Sequence, residues 1–254
     1  MTDLITDVKS LELETLKNLK SSKAANTLRA YEADYKDFGR FCIKHGFKPM
    51  PTEPKIVALY LTHLSQTSKF STLKRRLASI SVIHRLSGHY IDTKHPMITE
   101  NLMGIKRVKG SYQKAKKPIL INELKLIINV IDDDKSEKKR LKNKALILIG
   151  FAGAFRRSEL VAIDYEDVEF VSEGVKIFVK RSKTDQSGEG MTKGIPYFSN
   201  PNYCPVISLK NWLEKSEIKS GKIFDMSDKS VALTVKKYTA IAGLDSNKYS
   251  GHSL

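Results

Sequence analysis

Apolar residues recur at three- and four-residue intervals through the first part of the chain, which predicts a series of amphipathic helices. The second of these helices carries an aromatic stripe that ends before Gly46, and we expect this stripe to lie in a core. The predicted elements are a helix from Leu4 to Leu19, one from Asn26 to Cys42, one after Pro54, one capped by Ser71 or Thr72, and a short one from Pro96 to Ile105.

A basic and polar segment from Lys106 to Lys117, nearly free of apolar residues, interrupts this pattern. Such a charge run is typical of a linker, so it places a domain boundary near residue 114. We therefore expect a helical first domain over residues 1–113 and a second domain over residues 114–254.

The second half begins with helical spacing after Pro118 and contains the most apolar run of the chain, Ala145 to Phe155. Strict alternation then replaces the helical period, which predicts a strand around Ile177 and another from Gly194 to Phe198, joined by a flexible basic loop. Helices are predicted again from Cys204 to Leu213 and from Ser230 to Ile241, with Trp212 as a core anchor. The chain is thus predicted to be mainly α, with a small β-hairpin or sheet in the second domain.

The composition adds a strong positive charge. The chain has 44 Lys and Arg against 28 Asp and Glu, a formal net charge of +16. A surplus of this size attracts polyanions, and it favours nucleic acid over an anionic membrane as the partner.

Other classes of function are disfavoured. Cys42 and Cys204 lie far apart in sequence, and neither they nor the histidines match a metal-ligand spacing, so no metal is predicted. No apolar run approaches the roughly 20 residues needed to cross a bilayer. The N-terminus lacks the apolar core of a signal peptide, so we expect a cytoplasmic protein.

Basic residues are concentrated at two places in the first domain. Lys74, Arg75 and Arg76 fall in the first turns of the fourth predicted helix, where cations oppose the helix dipole and a bound anion would relieve them. A solvated basic face is the alternative. A second group in the linker could follow a DNA duplex, and its members are Lys106, Arg107 and Lys109.

A pair of arginines, Arg156 and Arg157, follows the long apolar run. Arginine keeps its charge, so one held beside a core needs an acidic or phosphate partner or access to water. This stretch alone leaves three interpretations open: a phosphate clamp, an ion pair with Glu159, or an ordinary helix end.

Five segments together resemble the tyrosine recombinases, also called phage-type integrases. The first domain resembles their helical, SAM-like core-binding domain, and the second resembles their α+β catalytic domain. The matching segments are Ala25 to Tyr31 and Ser71 to Leu77 in the first domain, and Gly153 to Leu160, Arg181 to Asp185 and Gly251 to Leu254 in the second.

The resemblance implies a site-specific recombinase that binds double-stranded DNA and needs no cofactor or metal. It assigns catalytic roles to Arg156, Lys183 and His252, a supporting role to Glu159, and a DNA contact to Arg181. In this family a tyrosine attacks a DNA phosphodiester and forms a 3′-phosphotyrosyl link. Arginines stabilise the transition-state charge, the lysine protonates the leaving 5′-oxygen, and the histidine assists proton exchange.

One part of the family pattern is missing. The second arginine and the nucleophilic tyrosine follow the His-x-x box in the family, whereas this sequence stops at Leu254, and Tyr238 and Tyr249 both precede His252. We therefore expect a truncated catalytic domain that is inactive alone. Its candidate partners are a separate C-terminal fragment or intact recombinase protomers. The alternative is a non-catalytic DNA-binding protein or fragment that occupies recombination sites.

Overall fold

Helices build the N-terminal half of the protein, as the apolar periodicity predicts. The computed structural model describes residues 8–21, 23–111, 115–182, 189–250 and 253–254. It divides into two units, Met1–Gln113 and Lys114–Leu254. The helices described in the first unit are α1 (Val8–Ser21), α2 (Ala25–Lys44), α3 (Pro54–Ser65), α4 (Phe70–Leu86) and α5 (Pro96–Lys109).

The core of the first unit lies among α2, α3, α4 and α5. Phe38 and Tyr60 are fully enclosed, with their ring centroids 5.1 Å apart in an edge-to-face arrangement. Leu73 and Ile80, from the apolar stripe of α4, are buried in the same cluster. The aromatic stripe of α2 therefore serves packing, as expected from its spacing.

Two predicted boundaries in this unit are wrong. Helix α4 starts at Phe70, so Ser71 and Thr72 lie inside it, and Lys69 occupies the cap position without a side-chain cap. Helix α5 runs to Lys109 and ends at Gly110, which has a positive φ of 71°. Lys and Arg are good helix formers, and their charge is favourable at a helix C-terminus, so the basic run extends the helix instead of ending it.

The second unit combines helices with a small sheet. Its elements are α6 (Ile121–Asp132), α7 (Glu137–Ala152), α8 (Arg157–Leu160), β1 (Val168–Val171), β2 (Gly174–Val179), β3 (Met191–Pro196), α9 (Pro205–Ser216) and α10 (Asp228–Ile241). The three strands are antiparallel in the order β1-β2-β3. The mainly α prediction with a small sheet is confirmed.

Helix α7 supplies the centre of this core and packs against α9. Trp212 is buried, as predicted, and its indole N–H donates to the carbonyl of Ile223 at 2.8 Å. The sheet differs from the prediction in two ways: β1 was not predicted, and β3 starts at Met191 instead of Gly194. The earlier start places Lys193 inside the strand.

Within the described ranges, no helix is both long enough and apolar enough to cross a membrane.

Candidate functional site

The turn between α7 and α8 places the first predicted catalytic arginine. Phe155 is buried, and a Cβ on Gly153 would lie 2.3 Å from its ring, so glycine is required there. Ala154 adopts a left-handed conformation with φ 45°, which is uncommon for a non-glycine residue. The turn thus fixes Phe155 in the core and directs Arg156 to the surface, where its side chain is 41% exposed.

Glu159 holds Arg156 from within the protein. Its carboxylate accepts from Arg156 Nη1 at 2.7 Å and from the Arg156 backbone N–H at 3.0 Å. The Glu159 side chain is only 3% exposed. Burial alone would raise the pKa of this carboxyl, but the hydrogen bonds from Arg156 and the charge of Lys193 lower it overall. Glu159 is therefore an ionised structural partner, as the ion-pair interpretation supposed.

The arginine retains capacity for a second anion. A guanidinium carries five N–H donors in a planar fork, and the bond to Glu159 uses one of its terminal nitrogens. Because the side chain is partly exposed, a phosphate oxygen can approach it from solvent. The ion pair and the phosphate clamp are thus compatible interpretations.

Lys193 joins this site, although the sequence did not single it out. Its ammonium donates to the carbonyls of Gly153 at 2.8 Å and Ala154 at 3.1 Å. It also lies 3.6 Å from Glu159 Oε2 and 4.2 Å from the centroid of the Phe155 ring. The predicted strand began one residue too late to include it. The signal that could have revealed it is the alternation with Ile195, which puts both residues on one face of β3.

Two predicted catalytic residues, Lys183 and His252, lie outside the described residues. Arg181, a predicted DNA contact, is described and exposed just beyond the end of β2. Nearby, Lys180 pairs with Asp164 at 2.6 Å and with Asp167 at 2.9 Å. These ion pairs join the described end of β2 to the segment that precedes β1.

Residues on both sides of His252 are attached to the start of the second unit. The N–H of Lys117 donates to the carbonyl of Lys248 at 2.7 Å, and that of Ile119 donates to Ser253 at 2.8 Å. Tyr249 is buried and donates to Glu123 Oε1 at 2.8 Å. Burial and, to a smaller extent, the hydrogen bond to Glu123 raise the pKa of the Tyr249 phenol.

The other late tyrosine is equally occupied. Tyr238 is 1% exposed, donates to Asp134 at 2.9 Å and accepts from Asn143 at 2.9 Å. Burial and the bond to Asp134 raise the pKa of this phenol too. Both tyrosines serve packing and hydrogen bonding, which argues against either one as an exposed nucleophile.

The basic residues of α4 divide into different environments. Arg76 is 18% exposed and pairs with Asp34 at 3.1 Å and Asp37 at 3.4 Å. Arg75 also pairs with Asp34, which is buried and accepts from the Ser79 hydroxyl at 2.7 Å. Lys74 is exposed. Arg76 is therefore part of the structure of the unit, whereas Lys74 faces solvent.

The basic residues of α5 lie on its last turn. Lys106 and Arg107 are exposed, and the Lys109 ammonium donates to the carbonyl of Ser65 at the end of α3. Because they share a helix turn, these cations keep a defined spacing that a flexible linker would not give them.

The described His, Cys, Asp and Glu side chains form no cluster that could bind a metal ion. Among the residues that the structure describes, no group of three or more His, Cys, Asp or Glu side chains is arranged to hold a metal ion. Both cysteines are buried as free thiols.

Comparison with known proteins gives clear relatives, although no family model matches the chain. The integrase/recombinase XerD homolog of Selenomonas ruminantium is 42% identical over 259 residues, which cover 96% of this chain and 75% of the relative. Tyrosine recombinase XerC of Staphylococcus aureus is 26% identical over 211 residues. The alignment covers 80% of this chain and 61% of that protein.

The fold also matches a solved structure. XerH site-specific recombinase, crystallised with its difH substrate before cleavage, superposes with a TM-score of 0.62 at 16% sequence identity. The match covers 90% of this chain and 65% of the XerH chain. At this identity the likeness concerns the fold.

Proposed function

The chain belongs to the tyrosine recombinase family, and we propose that it acts in site-specific recombination of double-stranded DNA. The observation that carries this proposal is the partly exposed Arg156, held by a buried, ionised Glu159 at the end of an apolar helix. A guanidinium fixed in this way is preorganised to stabilise charge that develops on a phosphodiester. The 42% identity with the Selenomonas relative supports the same assignment.

The two units have different proposed roles. The first unit would bind DNA through exposed cations such as Lys74, Lys106 and Arg107, and Arg75 would add a contact from its exposed part. The second unit would hold the scissile phosphate, and Arg181 would add a DNA contact from the same unit. Arg76 and Lys109 are less suited to direct contact because they already bind groups of the protein.

The proposed chemistry follows the family. Arg156 binds the non-bridging phosphate oxygens while a tyrosine hydroxyl attacks phosphorus and the bond to the 5′-oxygen breaks. Lys183 would donate a proton to that oxygen, and His252 would assist proton exchange. The tyrosine would come from a segment after the His-x-x box, since Tyr238 and Tyr249 are buried. We place this reaction in the cytoplasm, at the nucleoid.

A second candidate function is DNA binding without cleavage. It is favoured by the net charge of +16, because a surface of this charge binds duplexes whether or not the catalytic set is complete. In that role the protein would occupy recombination sites or compete with intact recombinase protomers.

A trapping assay separates these functions. Duplexes that bind the chain are first selected from a random pool. The selected duplex is then nicked near each candidate phosphate. After cleavage, the short strand beside the nick dissociates, so the covalent protein–DNA intermediate is trapped. The chain is incubated with this duplex in two mixtures: by itself, and together with the part of the Selenomonas relative that the match with this chain leaves uncovered. A covalent protein–DNA adduct at the 3′-phosphate supports recombination, and its absence in both mixtures with tight binding supports the second function.

A further inference from the structure

We propose that Lys193 is a positioning residue of the phosphate site, which holds the turn at residues 153–155 and the Glu159 carboxylate so that Arg156 presents its guanidinium outward. This inference rests on the proposed function of that site. Lys193 would not touch the DNA; it would act through Arg156 and Glu159.

The contacts of Lys193 surround the turn on which Arg156 depends. Two of its hydrogen bonds go to consecutive carbonyls, those of Gly153 at 2.8 Å and Ala154 at 3.1 Å. Ala154 is the residue with the left-handed backbone, so these bonds stabilise a conformation that alanine disfavours. The centroid of the Phe155 ring lies 4.2 Å from the same ammonium. One side chain thus binds every residue that links α7 to Arg156.

The charges at the site explain why a cation is needed there. Arg156 and Glu159 alone would form a neutral pair, which attracts a phosphate weakly. Lys193 lies 3.6 Å from Glu159 Oε2, whereas the Arg156 guanidinium binds Oε1. Two cations then share one carboxylate, and the set keeps one positive charge for an incoming phosphate. The carboxylate also stays ionised more readily between two cations than beside one.

The position of Lys193 in the sheet supports a specific role. It pairs with Ile177 across β2 and β3 and precedes the buried Ile195 by two residues, so its stem enters the core side of the sheet. The side chain is only 18% exposed. An inward charge on an edge strand can also serve merely to prevent edge-to-edge aggregation. That alternative predicts no effect of Lys193 on Arg156 or on DNA cleavage.

The test compares Lys193→Met with Lys176→Met in the complemented cleavage mixture described above. Lys176 lies on the adjacent strand β2, is 50% exposed and pairs with Glu169 at 3.7 Å, so both variants lose one charge from the same sheet. We expect strand cleavage to fall by about tenfold or more in Lys193→Met and to stay near the wild-type rate in Lys176→Met. Lys193→Arg, which restores the charge, should recover part of the lost rate.

A readout without DNA distinguishes this inference from the proposed function. The Glu159 carboxyl is titrated by carbon NMR in the wild type and in both methionine variants. We expect its titration to move to higher pH only in Lys193→Met, together with a change in the Arg156 guanidinium signals. An unchanged titration in Lys193→Met, or cleavage equal to that of Lys176→Met, would overturn the role of Lys193. If the wild type cleaves no duplex, the proposed function fails, and the titration still decides whether Lys193 positions the pair.

Discussion

Arg156 Nη1 lies 2.7 Å from Glu159 Oε1, so a cation at the protein surface is held by a carboxylate that is almost fully buried. The two residues are three positions apart, and the same carboxylate accepts the backbone N–H of Arg156 at 3.0 Å. Side chain and backbone of the arginine are therefore fixed by one group. This arrangement limits the orientations of the guanidinium before any ligand binds, which lowers the entropic cost of binding a phosphate.

Replacement of Arg156 tests its proposed catalytic role. In Arg156→Ala we expect cleavage by the complemented mixture to fall by about a hundredfold or more, since a preorganised donor to the phosphate is lost. The free energy of unfolding should drop by only about 1–2 kcal/mol, because Glu159 keeps Lys193 and a backbone N–H as partners. Trapped adduct is measured by gel, and stability by urea denaturation.

Arg40 offers a matched control for this variant. It also pairs with a carboxylate three residues away, Asp37 at 2.8 Å, but its side chain is 76% exposed. Arg40→Ala should leave both cleavage and stability close to wild type. Equal cleavage in Arg156→Ala and Arg40→Ala would remove Arg156 from the mechanism.

The ion pair of Glu159 should make the stability of the protein depend on pH in the acidic range. Despite the opposing effect of burial, hydrogen bonds from Arg156 lower the pKa of Glu159 below its ordinary value of 4.5. A lowered pKa in the folded state stabilises the protein above pH 4.5, and this contribution is lost as the pH falls through the folded pKa. We expect Glu159→Gln to be less stable than wild type at pH 7 and to show a smaller loss between pH 5 and pH 3.

Urea denaturation at several pH values measures this difference. Other paired carboxylates also titrate in acid, so the comparison is between variants and not within one protein. Glu214→Gln, at an exposed position of α9, is the control and should follow the wild-type curve. Parallel curves for Glu159→Gln and wild type would contradict the assigned ion pair.

Replacement of two neighbouring cations of α4 by alanine should affect different properties, namely stability for Arg76 and DNA affinity for Lys74. Arg76→Ala leaves the buried Asp34 without one of its charge partners, so we expect a loss of about 3 kcal/mol in the stability of the first unit. Lys74→Ala should change stability by less than about 0.5 kcal/mol. It should weaken binding to every duplex alike and reduce the slope of log affinity against log salt by about one.

Fluorescence anisotropy over a range of salt concentrations measures this slope, and denaturation measures the stability. A stable Arg76→Ala protein with a reduced salt slope would show instead that Arg76 contacts phosphate directly.

His84 predicts a second pH effect, in the first unit. Its ring is buried, Nδ1 bonds the carbonyl of Ile80 at 2.8 Å, and Tyr35 lies edge-on at 5.9 Å. Burial lowers the pKa of His84, and although the hydrogen bond to Ile80 opposes this effect, the pKa lies below its ordinary value. The contribution of the neutral His84 ring to the free energy of unfolding is therefore complete above the ordinary pKa of 6.5. It is lost as the pH falls below that value.

Hydrogen exchange of α4 amides at pH 7.5 and pH 5.5, corrected for the intrinsic rate, detects this loss locally. His84→Phe should abolish most of the difference because the ring no longer titrates. His63→Phe, at an exposed site of α3, should preserve it. A wild-type unit that is equally protected at both pH values would show that His84 takes up a proton as readily in the folded protein as in the unfolded chain, and would contradict the prediction.

Local pattern in the sequence was enough to predict the helical series and the two strands of the hairpin, and it offered the Arg156–Glu159 ion pair as one of three interpretations. Helix and strand periods depend on neighbouring residues, and residues three apart on one turn meet wherever the helix lies. Apart from the unpredicted strand β1, the main departures were local. The end of α5 and the start of β3 moved by a few residues because basic side chains suit a helix and because pairing with β2 extends the strand.

The tertiary structure alone separated residues that look alike in sequence. Lys74 and Arg76 are two positions apart, yet one is exposed and the other pairs with Asp34, 42 positions earlier, because α2 and α4 pack together. Lys193 resembles any strand lysine until β3 is placed against the end of α7, 40 positions before it. Such contacts depend on which faces of distant elements meet, and that choice is made by the burial of the whole core, which no short stretch of sequence contains.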